Sequence, residues 1–500
     1  MSAAPEAGPR PTTPPAAAPA APARPPQRRD PWLMPLVLRL HFLAGVLVGP
    51  FILVAALTGA AYAVSPTLER VIYDDELRAP VTATTVPLAD QVDAARAVAG
   101  DDAALVAVRP APRPGDTTRV MFAGDDLLEG QTRAVFVDPG TAQVRGDLPV
   151  YGTSGSLPLR TTISDLHRSL GLGDVGRAYS ELAASWLGVV VLGGLALWVA
   201  RWRRGRRRRD LVRPDLRASG LRRSVSWHAS IGVWLVLGAL FLSATGITWS
   251  QFGGERVTAL RAALSWQAPT LVTALEGASG AGATAGGAAP DAHAGHHGGA
   301  PAAPGSARVD PAGFDAVLAV ARTENVDTGL VEIRPPADDA SAWTVTEIQR
   351  SAPTQVDSVA VDGSTLEVVD RVDFADHPVM AKLARWGVDA HMGVLFGWPN
   401  QLLLVATALG VATMVVLGYV MWWQRRPAGG RGAAVGRPAP AGALARAPWW
   451  GTGLVVLVGV GLGAALPLLG ASLVAFVLVD ALVVAARTRP TGAGASPRGA

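Results

Sequence analysis

Eight histidines stand out in this sequence as groups whose type and spacing could do chemistry, and four of them recur in a pattern. With His41 set on His228, Gly45 falls on Gly232, Val46 on Val233, Leu53 on Leu240, Thr58 on Thr245 and Gly59 on Gly246, without a gap. With His167 set on His391, Gly173 falls on Gly397, Ala184 on Ala408, Gly194 on Gly418 and Trp198 on Trp422. One histidine at a membrane edge is as readily an interfacial side chain as a ligand, although ionisable groups within spans are functional candidates by default. Four at matched positions suggest two opposed pairs, His41 with His228 and His167 with His391. Opposed imidazoles suit an octahedral iron whose equatorial positions a porphyrin fills. Zinc suits them less: it prefers four tetrahedral ligands, and neither pair has Cys, Asp or Glu nearby in the spans. Gly45 and Gly232 follow their histidines by four residues, hence on the same helix face, where a flat macrocycle needs small neighbours. Three more histidines, His293, His296 and His297, lie with Asp291 in an Ala/Gly/Pro stretch at about 277–307. They read either as a weak site for a divalent metal or as drift in a low-complexity linker.

Composition narrows the rest. The chain has 500 residues, 44 basic against 40 acidic side chains and no cysteine. Disulfides, thiolate zinc, cysteine-ligated iron–sulfur clusters, a cysteine nucleophile and covalent c-type haem are therefore excluded. Lys382 is the sole lysine, which removes a P-loop. Charged residues make up 17%, below the roughly 25% of soluble domains, and the apolar residues gather in stretches long enough to cross a bilayer.

Those stretches are what must position the histidines. Apolar runs at 36–64, 182–200, 227–249 and 402–423 each suit one span, and 449–486 suits a hairpin turning at Ala465-Leu466-Pro467-Leu468-Leu469-Gly470. Six spans are expected. Residues 201–223 hold eleven Arg against two Asp, and 424–448 hold five Arg and no acid. Arginine in short loops marks the cytoplasmic side, so both termini are expected inside a multi-pass protein of the cell (plasma or inner) membrane. The run at 206–209 then needs no nucleic acid to explain it. The resulting division is a disordered Pro/Ala tail (1–31), a first span (32–65), an outside domain (66–178), a second span (179–201), a basic loop (202–225), a third span (226–250), a second outside domain (251–397), a fourth span (398–423), a linker (424–448), the hairpin (449–486) and a tail (487–500).

Each outside segment reads as a helix followed by short strands. The first has a helix at 88–98 and strands at 104–108, 119–122 and 134–137. The second has a helix at 314–321 and strands at 331–333, 342–348, 356–361 and 366–369. The expected fold is an α-helical membrane protein: a duplicated two-helix unit forming a four-helix bundle, with two small α+β domains outside and a C-terminal hairpin. The two copies share one in–out–in topology, which implies a pseudo-two-fold axis along the membrane normal. No Gly-rich βαβ pattern for flavin or nicotinamide is visible, so the electron donor would be a separate cytoplasmic reductase or a quinol.

Leu40-His41-Phe42-Leu43-Ala44-Gly45, running to Ala56-Leu57-Thr58-Gly59, resembles the first span of the PepSY-associated transmembrane family. Leu166-His167-Arg168-Ser169-Leu170, His391-Met392-Gly393-Val394-Leu395-Phe396-Gly397-Trp398-Pro399-Asn400-Gln401 and Gly418-Tyr419-Val420-Met421-Trp422-Trp423 resemble it too. Val135-Phe136-Val137-Asp138-Pro139-Gly140-Thr141 is close to the turn usual in PepSY modules. The resemblance covers about residues 32–426; the hairpin and the histidine-rich loop lie outside the family's usual pattern. It implies b-type haem, two per chain, on the four membrane histidines and delivery of electrons to an extracytoplasmic ferric or ferric-siderophore complex. The alternative it allows is a non-catalytic membrane anchor whose PepSY modules bind or inhibit an extracytoplasmic peptidase.

Overall fold

The computed structural model describes residues 32–205, 208–275, 309–324, 326–426 and 439–488. Its first membrane segment is two helices, α1 (Leu33–Leu47) and α2 (Gly49–Ile72), where one uninterrupted span was expected. The cause is Pro50, which lacks an N–H and crowds the carbonyl one turn back. That carbonyl, of Val46, instead accepts the Tyr419 hydroxyl at 2.6 Å from a facing helix. Beyond the membrane α2 runs into a single turn, α3 (Asp74–Leu77), and then α4 (Leu88–Ala99).

Strands β1 (Leu105–Arg109), β2 (Thr118–Phe122), β3 (Gln131–Val137) and β4 (Val144–Tyr151) follow as an antiparallel meander. Helix α5 (Pro158–Ser169) returns the chain to the bundle, where α6 (Gly173–Arg204) and α7 (Gly220–Thr248) are the next long apolar helices. After α8 (Gln251–Ala263) and α9 (Ala312–Thr323), a second meander forms from β5 (Val331–Arg334), β6 (Trp343–Glu347), β7 (Ser358–Val361) and β8 (Val368–Val372). Helix α10 (Val379–His391) leads to the last long apolar helix, α11 (Trp398–Gln424). Thus among the described residues four helices, α2, α6, α7 and α11, are long and apolar enough to cross a membrane, and the protein is a helical membrane protein with an antiparallel sheet. They close a ring in which α2 touches α11 and α6, and α7 touches the same two.

The expected fifth and sixth spans are a hairpin of α12 (Trp449–Ala465) and α13 (Pro467–Thr488). At 17 residues α12 is about 26 Å long at 1.5 Å per residue, short of the bilayer core. The hairpin packs on α6, where Trp186 Nε1 donates to Ser472 Oγ at 2.9 Å. Asp480 of α13 pairs with Arg39 of α1, whose Nη1 also donates to the Ala439 carbonyl.

The strands of both segments join in one eight-stranded sheet, ordered β4-β3-β2-β1-β5-β6-β7-β8. Its middle is the antiparallel β1–β5 seam, with Val108 opposite Ile333. Helices α4 and α9 cover one face over a core of Val92, Val108, Val120, Phe314, Ile333 and Val345. The seam carries a buried charge cluster: Arg109 Nε donates to Glu332 at 2.7 Å, and Arg334 Nε to its other oxygen at 2.7 Å. Burial pushes the Glu332 carboxyl up, but Arg334 and Arg109 outweigh it and hold it at about 2. Edge strand β4 was not anticipated. Its Gly146, Asp147 and Pro149 argue against a strand anywhere but at an edge, where a missing N–H costs nothing.

Candidate cofactor site

Of the four paired histidines, His41 and His228 meet ring to ring, and His167 and His391 line one cavity. On α1 and α7, the His41 and His228 rings stand edge to face, 6.2 Å between centroids and 82° between planes. His41 reaches across to α6, where its Nδ1 donates to the Val190 carbonyl at 2.9 Å. That approach is open because α6 has glycine there: a Cβ on Gly194 would stand 3.1 Å from His41 Cε1. His228 Nδ1 is buried without a hydrogen-bond partner among the described residues.

The second pair comes from the short helices that join sheet to bundle. His167 lies in the last turn of α5 and His391 ends α10. The end of α10 is fixed by α11, whose Asn400 side chain donates to the Ala390 carbonyl at 2.9 Å. His167 Nδ1 lies 3.0 Å from Thr58 Oγ1 and His391 Nδ1 lies 2.6 Å from Thr245 Oγ1. The Trp249 ring meets His391 edge-on at 5.1 Å. Both histidines line a cavity of about 690 Å³, together with apolar Ile52, Ala56, Leu187 and Val411 and polar Tyr151, Asp165 and Arg168. That volume is within the range of small-molecule and cofactor sites. Burial lowers the pKa of His167 to about 4, and burial together with His167 lowers that of His391 to about 3. Both rings are therefore neutral at pH 7, the form in which imidazole binds a metal.

Charges behind the cavity are paired rather than free. Asp389 lies between Arg385 at 3.1 Å and Arg350 at 3.6 Å, and Arg160 lies over the Tyr62 ring at 5.2 Å. Burial lowers the Arg350 pKa to about 10, with Arg385 adding to the effect.

The anticipated glycines are placed differently from their histidines' partners. A Cβ on Gly45 would meet nothing within 4 Å, and one on Gly232 would stand 2.9 Å from the Met414 methyl. Glycines that do touch the rings are Gly194 against His41 and Gly59 against His167, each leaving 3.1 Å for a Cβ. Thr58 and Thr245 were missed as partners, though the Thr-Gly dipeptide recurring at one distance after His41 and His228 was the available signal. His293, His296 and His297 lie outside the described residues. Among the described residues no cluster of three or more His, Asp or Glu side chains could hold a metal ion.

A porphyrin iron fits these donors. All four are imidazoles, and one pair borders a cavity lined by both apolar and polar side chains. Two imidazoles on opposite sides of one metal, with bonds of about 2 Å, have centroids about 6 Å apart, as His41 and His228 do. A family model described as the PepSY-associated TM region matches residues 38–425. No curated protein matches the chain.

Proposed function

Because the chain belongs to the PepSY-associated transmembrane family, and because His41 and His228 stand ring to ring while His167 and His391 line one cavity, we propose that it is a b-type haem electron-transfer protein. In this reading His41 and His228 hold one haem, and His167 and His391 hold a second. The haem irons would supply one-electron transfer. The sheet lies outside the plasma (inner) membrane, the arginine-rich loops and both termini lie inside, and the final acceptor is an extracytoplasmic ferric or ferric-siderophore complex. A separate cytoplasmic reductase or a quinol supplies the electrons.

The observation that carries the reading is the pairing of half-buried imidazoles, His41 ring to ring with His228 and His167 beside His391 in one cavity. His41 lies on α1 and Thr58, the partner of His167, on α2 beyond the break at Val48, so the two sites draw on different stretches of the first membrane segment. The protein's own work is to orient four rings and to line the second site with the apolar side chains of Ile52, Ala56 and Val411. An internal duplication accounts for the same facts. The sheet order reads alike from either edge, and Thr58–His167 and Thr245–His391 repeat one contact. A peptidase-binding anchor would need the sheet but has no use for the paired rings.

The test is a reduced-minus-oxidised absorption spectrum of the purified protein. Bis-imidazole b-type bands are expected, with two haems per chain. A colourless preparation from haem-replete cells overturns the proposal.

A further inference from the structure

Haem ligation by histidine gives no reason for the Thr-Gly dipeptide that follows His41 and His228 at equal distance. The structure supplies one. Besides meeting the imidazoles, each threonine hydroxyl reaches a carbonyl one turn back on its own helix: Thr58 to Val54 at 2.8 Å, Thr245 to Phe241 at 2.6 Å. A hydroxyl has one hydrogen to donate, and a carbonyl can only accept. The hydroxyl hydrogen therefore goes to the carbonyl, and the hydroxyl oxygen accepts from the ring. Nδ1 of His167 and of His391 must carry the ring hydrogen, which leaves the lone pair on Nε2.

Resting on the haem reading above, we infer that Thr58 and Thr245 are positioning residues. They fix His167 and His391 in the Nδ1–H form and present Nε2 as the ligating nitrogen. The adjacent glycine completes the device at His167, because Gly59 lets α2 come close enough for the hydrogen bond while its absent Cβ leaves 3.1 Å to the ring. At His391 the Trp249 edge, 5.1 Å away, confines the ring from another side. A hydrogen-bonded Nδ1–H makes the opposite nitrogen a stronger donor, and loss of such partners typically weakens metal binding 10–100-fold.

The experiment compares full-length wild type with Thr58→Val, Thr245→Val, Thr58→Ser and Thr245→Ser. It measures haem per chain, the midpoint potentials of both haems and the low-spin electron paramagnetic resonance signals. Each valine, equal in shape but without the hydroxyl, should weaken retention of one haem about 10–100-fold, raise the midpoint of what remains and shift one low-spin signal. The other haem should be unchanged. Serine should restore wild-type values, which a purely packing role would not require. If wild type holds two haems and the valine variants keep both midpoints and both signals, the inference falls while the haem reading stands. If wild type is colourless, both fall together.

Discussion

The two histidine pairs are built to different plans. His41 and His228 sit on membrane helices, the short α1 and the long α7, and among the described residues one has a backbone carbonyl partner and the other no Nδ1 partner. His167 and His391 sit on short helices that follow β4 and β8, and both are held by side-chain hydroxyls. The first pair is therefore held within the bundle, by helix packing and the Val190 carbonyl, whereas the second is suspended between the bundle and the sheet. Geometry at the second pair can be reached from the sheet; geometry at the first cannot.

The largest expected effect tests that independence directly. His41→Ala or His228→Ala should remove one haem, and His167→Ala or His391→Ala the other, as read by haem content and by which midpoint disappears. Unchanged haem content in all four variants would show that the ligands lie elsewhere. Next comes the sheet seam. Arg109→Ala leaves the Glu332 carboxylate buried with Arg334 as its remaining partner, so the loss should fall below the about 3–5 kcal/mol of an uncompensated buried charge. In thermal denaturation followed at both haem signals, the signal of the His167–His391 site should be lost at lower temperature than in wild type, ahead of the other. Equal loss at both sites would erase the distinction between the pairs.

Acid should act through the same seam. The folded Glu332 pKa, about 2, lies below the unfolded value near 4.3. Its contribution is thus present above pH 4.3 and lost as pH falls through 2. Spectra taken between pH 5 and pH 2 should show the His167–His391 site failing first, and Glu332→Gln should flatten that dependence. Smallest is the effect of a single methyl. Gly59→Ala and Gly194→Ala each place a Cβ 3.1 Å from a ring carbon, an overpacking worth about 1–3 kcal/mol. Each should disturb the haem signal of its own pair and spare the other.

Much of this arrangement was legible in the sequence because its signals are local or repeated. The apolar runs mark α2, α6, α7 and α11, and the matched histidines mark the pairs. What was not legible depends on elements distant in the chain. Gly45 and Gly232 follow their histidines by one turn and were read as room for a macrocycle; the glycines that approach the rings, Gly194 and Gly59, come from other helices. No spacing rule predicts a partner across an interface. The β1–β5 seam has the same character: Leu105–Arg109 and Val331–Arg334 each read as ordinary buried strands, and nothing in either announces the other. Pro50 was visible but could be dismissed, because the compensating hydroxyl of Tyr419 is supplied from α11.

The ion pair between Arg39 and Asp480 bears on how the chain is made. Arg39 is synthesised well before its partners: the Ala439 carbonyl that accepts its hydrogen bond lies 400 residues further on, and its carboxylate later still. Over that stretch of synthesis a cation waits at the membrane without its counter-charge, at a cost of about 2.5–3.5 kcal/mol on the insertion scale if it lies near the helix centre. Arrival of the hairpin ends that exposure, so α1 is locked in place by a segment made long after it. Chains stopped at residue 448 should accordingly be degraded faster in pulse–chase labelling than full-length ones, and Arg39→Leu should restore part of their lifetime.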